Sequence, residues 1–506
     1  MSEKNTKIQR GSAALALKAG FWYVISTFLV KGLNFVIHPI FARLFDKGSG
    51  DIGNFANFAS WETVLLIIAS LEMQNTVARA YYDFKEDFDH YVSSVTLASC
   101  SFTLILYGLS LMFSDWFEMI TKIPQQYIHV MFIMLLFTGC KQIYFAKERT
   151  LYRYKGVAVL SALNALIPTL IAVAVVALLP MDQRLSGRIY GYYLPSALIG
   201  AGCLLPLLLK GRKIKWKYIK YGLVLSFPLM LHYLTAQLLN SSNTIVTESI
   251  TERLLADPTS AVAKAITLSD PTSLVSNAST VNHIMTALLL AVSGAITTWM
   301  MDNLNAEKVK TVRNGTLLYV VGVTALSLGV ILVGPEVIAF MGDNKYNESQ
   351  ILVPGFSMAT LVQASVTLFT IMLTYKKKVV ATGIWTGIVA VLCVVAKYLL
   401  LDWYMPIDPA GSMTFLPYVN IASYAVLFVV NYLLVRRCGL GKYVNFWAMT
   451  GVLGVALGFM AISPFLYDHT LVRYGLIAAF GVAVGVIAII KRDLVIKIVR
   501  KKLKKK

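Results

Sequence analysis

Hydrophobic positions along this chain fall in long runs of about 20 residues, separated by short polar stretches and recurring from near residue 19 to residue 490. A run of that length lets a helix cross a hydrocarbon core roughly 30 Å thick. The runs are too long and too continuously apolar for barrel strands, whose faces alternate over about ten residues. The pattern predicts an all-α polytopic membrane protein with about 14 transmembrane helices. The expected spans are 19–42, 53–77, 91–116, 126–146, 157–179, 187–209, 218–246, 280–303, 313–334, 350–374, 379–401, 412–435, 444–467 and 471–490. Between the seventh and eighth lies ITERLLADPTSAVAKAITLSDPTSLVSN, expected to be a polar loop.

Polar residues interrupt some of these runs in a periodic way. At about 100° per residue, Thr27, Lys31, Asn34 and His38 share a sector of roughly 60° on the first span. Lys31 is about 13 residues from the inner edge, roughly 20 Å deep. A basic residue at mid-helix costs about 2.5–3.5 kcal/mol on insertion scales, so this stripe should face water or a partner. The alternative for Lys31 is snorkelling to an interface, and for Lys397, near the outer end of its span, snorkelling is the expected state. Glu62 on span two is expected at the depth of Lys31 and forms a candidate ion pair with it. By the same periodicity Glu72, Thr76 and Arg79 share another face of span two, with Arg79 near the inner mouth. Span seven repeats the stripe with Ser226, Tyr233, Gln237, Asn240 and Thr244, and carries Pro228, which removes a backbone donor and should kink it. The bland alternative for these stripes is polar contact between helices, and the GVAVG of residues 481–485 is a packing motif of low specificity.

Charge then orients the spans. Of the 46 Lys and Arg, 35 fall on the side of the N-terminus, 9 on the opposite side, and Lys31 and Lys397 within spans. This positive-inside asymmetry predicts an even number of spans with both termini cytoplasmic. It also accounts for the net charge of +20 without a nucleic-acid partner, since the basic residues face an anionic inner leaflet. Hydrophobic residues make up 57% and charged residues only 14%, against about 25% charged in soluble domains. The five cysteines are scattered without metal-like spacing, and no Walker A, HExxH, paired CxxC or nucleophile elbow is present. The first residues have no short apolar core with a small-residue cleavage site, so no cleavable signal is expected.

A weak repeat aligns KAGFWYVISTFLVKGLNFVI, from Lys18, with KYGLVLSFPLMLHYLTAQLL, from Lys220, placing Lys31 opposite Tyr233 with His232 beside it. Six spans separate the two starts, so the repeats would form two lobes of like orientation, related by an axis along the membrane normal. The expected organisation is an N-terminal lobe at 1–210, a C-terminal lobe at 211–437, two further spans at 438–490 and a basic tail at 491–506.

These features resemble the polysaccharide repeat-unit flippases of the multidrug/oligosaccharidyl-lipid/polysaccharide (MOP) exporter superfamily. Members similarly open with a basic-Gly-aromatic start, here Lys18, Gly20 and Phe21, and carry an Arg-Leu-Phe at the first outer turn, here Arg43, Leu44 and Phe45. Gly53, Asn54 and Phe55 begin span two in the family manner, and Arg79, Ala80 and Tyr81 close it. LSFPLMLHYLTAQLLNSSNTIV resembles the family's seventh span, except that Asn243 and Thr244 stand where an Asp-Arg pair is frequent. The resemblance implies a flippase in the bacterial inner membrane that moves a polyprenyl-diphosphate-linked oligosaccharide to the outer leaflet by alternating access. It further implies coupling to a proton or sodium gradient with no bound cofactor, and work alongside glycosyltransferases and a polysaccharide polymerase. Lys31, Arg79 and Arg43 would supply positive charge to the substrate, with Asn34, His38, Tyr233, Gln237 and Asn240 completing its path. Glu62, Glu72, His232 and Pro228 would serve coupling or gating. Two rival readings stand beside it: a multidrug or cation antiporter of the same superfamily, which would favour acidic residues in its cavity, and an intramembrane polysaccharide polymerase or ligase, which would need a large external loop.

Overall fold

A computed structural model describes residues 32–33, 36–151, 153–211, 214–342, 345–376 and 378–482. Among these residues the chain is helical throughout its elements, with no strand. We number the long helices α1 (36–44), α2 (Asp51–Ala69), α3 (Phe88–Met112), α4 (Ile128–Thr150), α5 (Tyr154–Leu178), α6 (Arg184–Lys210) and α7 (Trp216–Leu255). They continue as α8 (Pro271–Asn305), α9 (Val309–Gly342), α10 (Val353–Tyr375), α11 (Val379–Tyr404), α12 (Phe415–Arg437), α13 (Phe446–Asp468) and α14 (Thr470–Val482). Among the described residues, 11 helical segments are long and apolar enough to cross a membrane. The multi-pass helical architecture expected from the apolar runs is thus present. Lys18, Gly20, Phe21, Thr27, Lys31, Asn34, most of the GVAVG motif and the basic tail lie outside the described residues.

Two helices organise the packing. In α10 and α4, 83% and 61% of the apolar window is buried, against 44% or less in the other candidate spans, so these two sit inside bundles while the rest surround them. α4 packs against α2, α3, α5 and α6; α10 packs against α8, α9, α11 and α12, the same partners shifted by six helices. α2 meets α7 and α8 across the boundary between the two groups. α13 lies on α9 and α10.

Three elements differ from the sequence expectation. Span two was expected to run to residue 77, but α2 ends at Ala69, and Leu71 and Glu72 both take left-handed backbone with φ of 51°. The segment SLEMQNT competes with the helix locally. Ser70 Oγ accepts from the Glu72 amide, and the Glu72 carboxylate accepts from Gln74 Nε2 at 2.9 Å and Asn75 Nδ2 at 2.5 Å. A single helical periodicity through Glu72, Thr76 and Arg79 therefore does not hold. The expected 250–277 loop is also mostly helix. α7 continues to Leu255, a helix spans Ala261–Ser269 with Ser260 as its N-cap, and α8 starts at Pro271. Asp270 accepts from the Ser273 amide at 3.3 Å, and Pro271 at the first helical position suits the N-terminus. Some of the Ser, Thr and Asp that suggested a loop are buried, Thr251, Asp270, Thr272 and Ser273 among them, while Asp257, Thr259 and Thr267 stay exposed. Pro228 lies within an unbroken helical segment of 40 residues, roughly 60 Å long at 1.5 Å per residue.

Lys397 is the third difference. It does not snorkel. It is fully buried, donating from Nζ to Ser242 Oγ at 2.7 Å and to the Leu239 carbonyl at 3.2 Å, so it ties α11 to α7. Its partners lie within the expected seventh span, so the packing of α11 on α7, which the sequence alone does not give, explains the burial.

Candidate functional site

A cavity of about 640 Å³ lies between the two bundles, lined by α1, α2, α5 and α6 on one side and α7, α8, α10 and α12 on the other. Five of the residues placed on polar stripes or in candidate roles from sequence line it: His38, Glu62, Gln237, Asn240 and Thr244. The α7 stripe supplies three of them. Gln237 Nε2 donates to Ser241 Oγ at 2.9 Å on its own helix and to Thr63 Oγ1 of α2 at 3.0 Å, a bond between the two sides. Asn240 accepts from the Tyr424 hydroxyl at 3.0 Å, and Asn243 accepts from Asn420 Nδ2 at 3.1 Å, fixing α7 to α12. Asn282 of α8 donates to Thr360 Oγ1 of α10 at 2.5 Å. His38 is buried against Asn277 Oδ1 of α8, with Nε2 2.8 Å away. Glu62 faces the cavity half-buried, within electrostatic reach of Lys141. Its expected partner, Lys31, is outside the described residues.

The remaining singled-out residues lie elsewhere. Arg79 is exposed on the short helix Val77–Asp83 and pairs with Asp83 at 3.3 Å. Arg43 is exposed at the end of α1, donating to the Phe340 carbonyl at 3.4 Å. Glu72 is held in its own turn by Gln74 and Asn75. Tyr233 is exposed and not among the cavity residues, as is Pro228. His232 lies on α7, and nothing further about its side chain is described. The reason is depth: Tyr233 is one turn below Gln237, and the cavity ends between them.

Sequence reading missed the strongest charge in the cavity. Arg188, counted among the outer-side cations, is 93% buried on α6, its exposure being 7%. Its guanidinium lies 3.7 Å from the Phe55 ring centroid and 4.1 Å from that of Phe41. Nε and Nη1 have no hydrogen-bond partner. A signal was present in RLSGRIYGYY: Gly187 and Gly191 sit against α5, where an added Cβ on Gly191 would come 3.0 Å from Ala172 Cα. That close approach sets the face of α6 that Arg188 and Tyr192 share toward the cavity. Lys141, counted as cytoplasmic, is likewise buried on α4, donating to Asn164 Oδ1 at 2.9 Å and Ser196 Oγ at 3.4 Å.

The ends of the boundary differ. At the end that the charge count assigns to the outside, Gly53 donates to Ser273 Oγ at 2.9 Å, and a Cβ there would lie 2.8 Å from Thr272 Cβ, so α2 and α8 touch backbone to side chain. Lys47 pairs with Glu348 at 3.7 Å, Lys122 with Glu252 at 3.6 Å, and Lys345 donates to the Phe45 carbonyl at 3.2 Å. At the other end, Tyr218 and Lys215, at the start of α7, both bond Asp87, and Tyr221 bonds Asp83. These bonds join α7 to the first bundle. The Tyr218 hydroxyl and then Lys215 hold the Asp87 carboxyl down to about 2. Among the described residues, no group of three or more His, Cys, Asp or Glu is placed to hold a metal ion.

Residues 16–254 match the family described as polysaccharide biosynthesis protein. The fold is similar to that of a lipid II flippase MurJ in an inward closed conformation, at 12% identity over 93% of this chain and 99% of that one, with a TM-score of 0.66. It is also similar to an inward-facing multidrug resistance MATE family transporter of the MOP superfamily, at 14% identity over 81% of this chain and 95% of that one, with a TM-score of 0.55. A MATE protein in complex with MaL6 follows at 14% identity over 84% and 97%, with a TM-score of 0.51. Comparison with curated proteins gives no match. These findings bear out the resemblance read from the sequence: just under half of the chain matches the polysaccharide biosynthesis family model, and its multi-pass helical fold is that of the MurJ and MATE structures.

Proposed function

We propose that this transporter moves a polyprenyl-diphosphate-linked oligosaccharide from the cytoplasmic to the outer leaflet of a bacterial inner membrane, with both its termini cytoplasmic. The observation that carries this reading is the cavity between the two bundles. It is lined by amides, hydroxyls and tyrosines suited to sugar hydroxyls, with one guanidinium, and bridges cross its outer end. The glycan occupies the cavity while the polyprenyl chain stays in the bilayer. Two rigid lobes, 1–210 and 211–437, rock about this boundary, and α7 joins them, bonded to the first lobe at its start and to the second through Lys397. The Gly53–Ser273 contact and the Lys47–Glu348 pair part as the cavity opens outward. A proton or sodium gradient drives the cycle, with Glu62 as the ionisable group in the path. Glycosyltransferases would supply the substrate inside, and a polymerase would consume it outside.

The test is a leaflet-accessibility assay. The purified chain in vesicles, given undecaprenyl-diphosphate-linked oligosaccharide on one leaflet, should expose the glycan on the other to a membrane-impermeant oxidant. Vesicles that show transfer no faster than protein-free ones contradict the reading. The cation-antiporter alternative rests on Glu62 as the cavity's carboxylate and predicts ethidium export by the same vesicles.

A further inference from the structure

Arg188 is a cation taken out of water with no anion hydrogen-bonded to its Nε or Nη1. An isolated buried charge is costly, and cation–π contact with Phe41 and Phe55 returns only about 2 kcal/mol when desolvated. The two rings clamp the guanidinium plane, so its donors are held in a fixed direction before any ligand arrives. Nε and Nη1 are both buried and both unpartnered. Nη1 lies on the Cδ side of the guanidinium and Nε–H points to the other, so each is a separate donor for an anionic oxygen such as that of a carboxylate. Asp51 acts on Arg188 only through its charge, not through a hydrogen bond.

Depth decides which anion reaches it. Arg188 is the fifth residue of α6, roughly 6 Å from the outer end of a helix 27 residues long. His38 and Phe55 flank it at that level, while Gln237, Gln363 and Glu62 line the cavity toward mid-membrane. A substrate loaded from the inner leaflet keeps its diphosphate at the inner headgroup plane, roughly 30 Å away across the hydrocarbon core. The group that meets Arg188 in the loaded state therefore belongs to the glycan. We propose that Arg188 is a specificity-determining residue that receives the carboxylate of an acidic sugar, such as a uronic acid, carried within the oligosaccharide. The proposal rests on the flippase reading above and narrows its substrate to acidic glycans.

The experiment compares two probes in proteoliposomes: an undecaprenyl-diphosphate-linked disaccharide bearing glucuronic acid, and its carboxyl-reduced counterpart. A charge-assisted hydrogen bond predicts that the unaltered protein transfers the acidic probe about 10-fold faster or more at sub-saturating concentration. Arg188→Gln should slow the acidic probe far more than the reduced one, and Arg188→Lys, which keeps charge but loses the fixed guanidinium donors, should fall between. Equal transfer of both probes by the unaltered protein overturns the proposal and leaves the flippase reading standing. So does equal slowing of both by Arg188→Gln, because Arg188 would then meet the diphosphate on its way out. If neither probe moves, the flippase reading itself fails and takes this one with it. The comparison in the unaltered protein needs no variant, so misfolding of a variant cannot obscure it.

Discussion

The two walls of the cavity are built from different chemistry. The first, from α1, α2, α5 and α6, carries Arg188, Glu62 and His38, with Lys141 buried just behind it. The second, from α7, α8, α10 and α12, presents Gln237, Asn240, Asn243, Asn282, Gln363, Asn420 and Tyr424, with His283 as its one titratable nitrogen base among the described residues. The second bundle also buries a lysine, but Lys397 is turned away from the cavity and spends its donors on α7. The same helical arrangement thus places charge toward the path in one half and uses it as an internal fastener in the other. A wall built mainly of amides can exchange hydrogen bonds with successive sugar hydroxyls without a large desolvation cost, while one guanidinium opposite gives orientation. The difference teaches that symmetry of packing in this fold does not carry symmetry of chemistry.

The comparison can be broken most severely by filling the space between the walls. Ser60 on α2 is half-buried and lines the cavity. Ser60→Trp should reduce transfer at least about 10-fold while elution from a sizing column stays unchanged, since the indole needs room that only the cavity supplies. Normal transfer would mean that substrate takes another route.

The two buried lysines offer the next contrast. Asn164→Leu leaves the Lys141 ammonium with only Ser196, and Ser242→Ala leaves Lys397 with only a backbone carbonyl. Each should cost about 1–3 kcal/mol of stability, read as a lowered Tm in detergent. If Lys397 is only a fastener, Ser242→Ala should leave the discrimination between acidic and reduced glycans as it was.

A smaller effect is expected at the outer contact. A methyl at Gly53 collides with Thr272, so Gly53→Ala should push α2 from α8 and favour the outward-open form. A cysteine placed at residue 60 should then react faster with an external, membrane-impermeant maleimide. The smallest effect concerns Asp87, which sits outside the spans. Its folded pKa is depressed to about 2 by Tyr218 and Lys215. Its stabilising contribution is therefore present above the unfolded carboxylate value, about 3.9, and lost as pH falls through about 2. The Tm difference between the unaltered protein and Asp87→Asn should stay constant from pH 7 to 5 and shrink below pH 4.

Much of the fold was legible because membrane spans are written as length and hydropathy, which need no knowledge of neighbours. Gln237 and Asn240 were legible for a related reason: a polar stripe on an apolar helix must face something other than lipid. His38 and Glu62 stood out as polar residues within apolar runs. Arg188 did not, because its position near a span end gave the sequence an easier explanation. Lys397 was misjudged for the same reason, and only its contacts with Leu239 and Ser242 of α7 show that its surroundings are protein. Tyr233 shared the α7 stripe, yet periodicity gives an angle around a helix and not the depth at which a cavity stops. The polar stretch after residue 250 read as loop because Ser, Thr and Asp disfavour helix interiors; here Ser260 and Asp270 instead cap the helices that follow them.

Photo-crosslinking with a lipid-linked oligosaccharide that carries a diazirine on its glycan tests the central claim most directly. The account predicts adducts on both walls, within residues 55–63 of α2 and 237–244 of α7, competed by unlabelled substrate. Adducts confined to residues outside the cavity, with the two walls unlabelled, would contradict it.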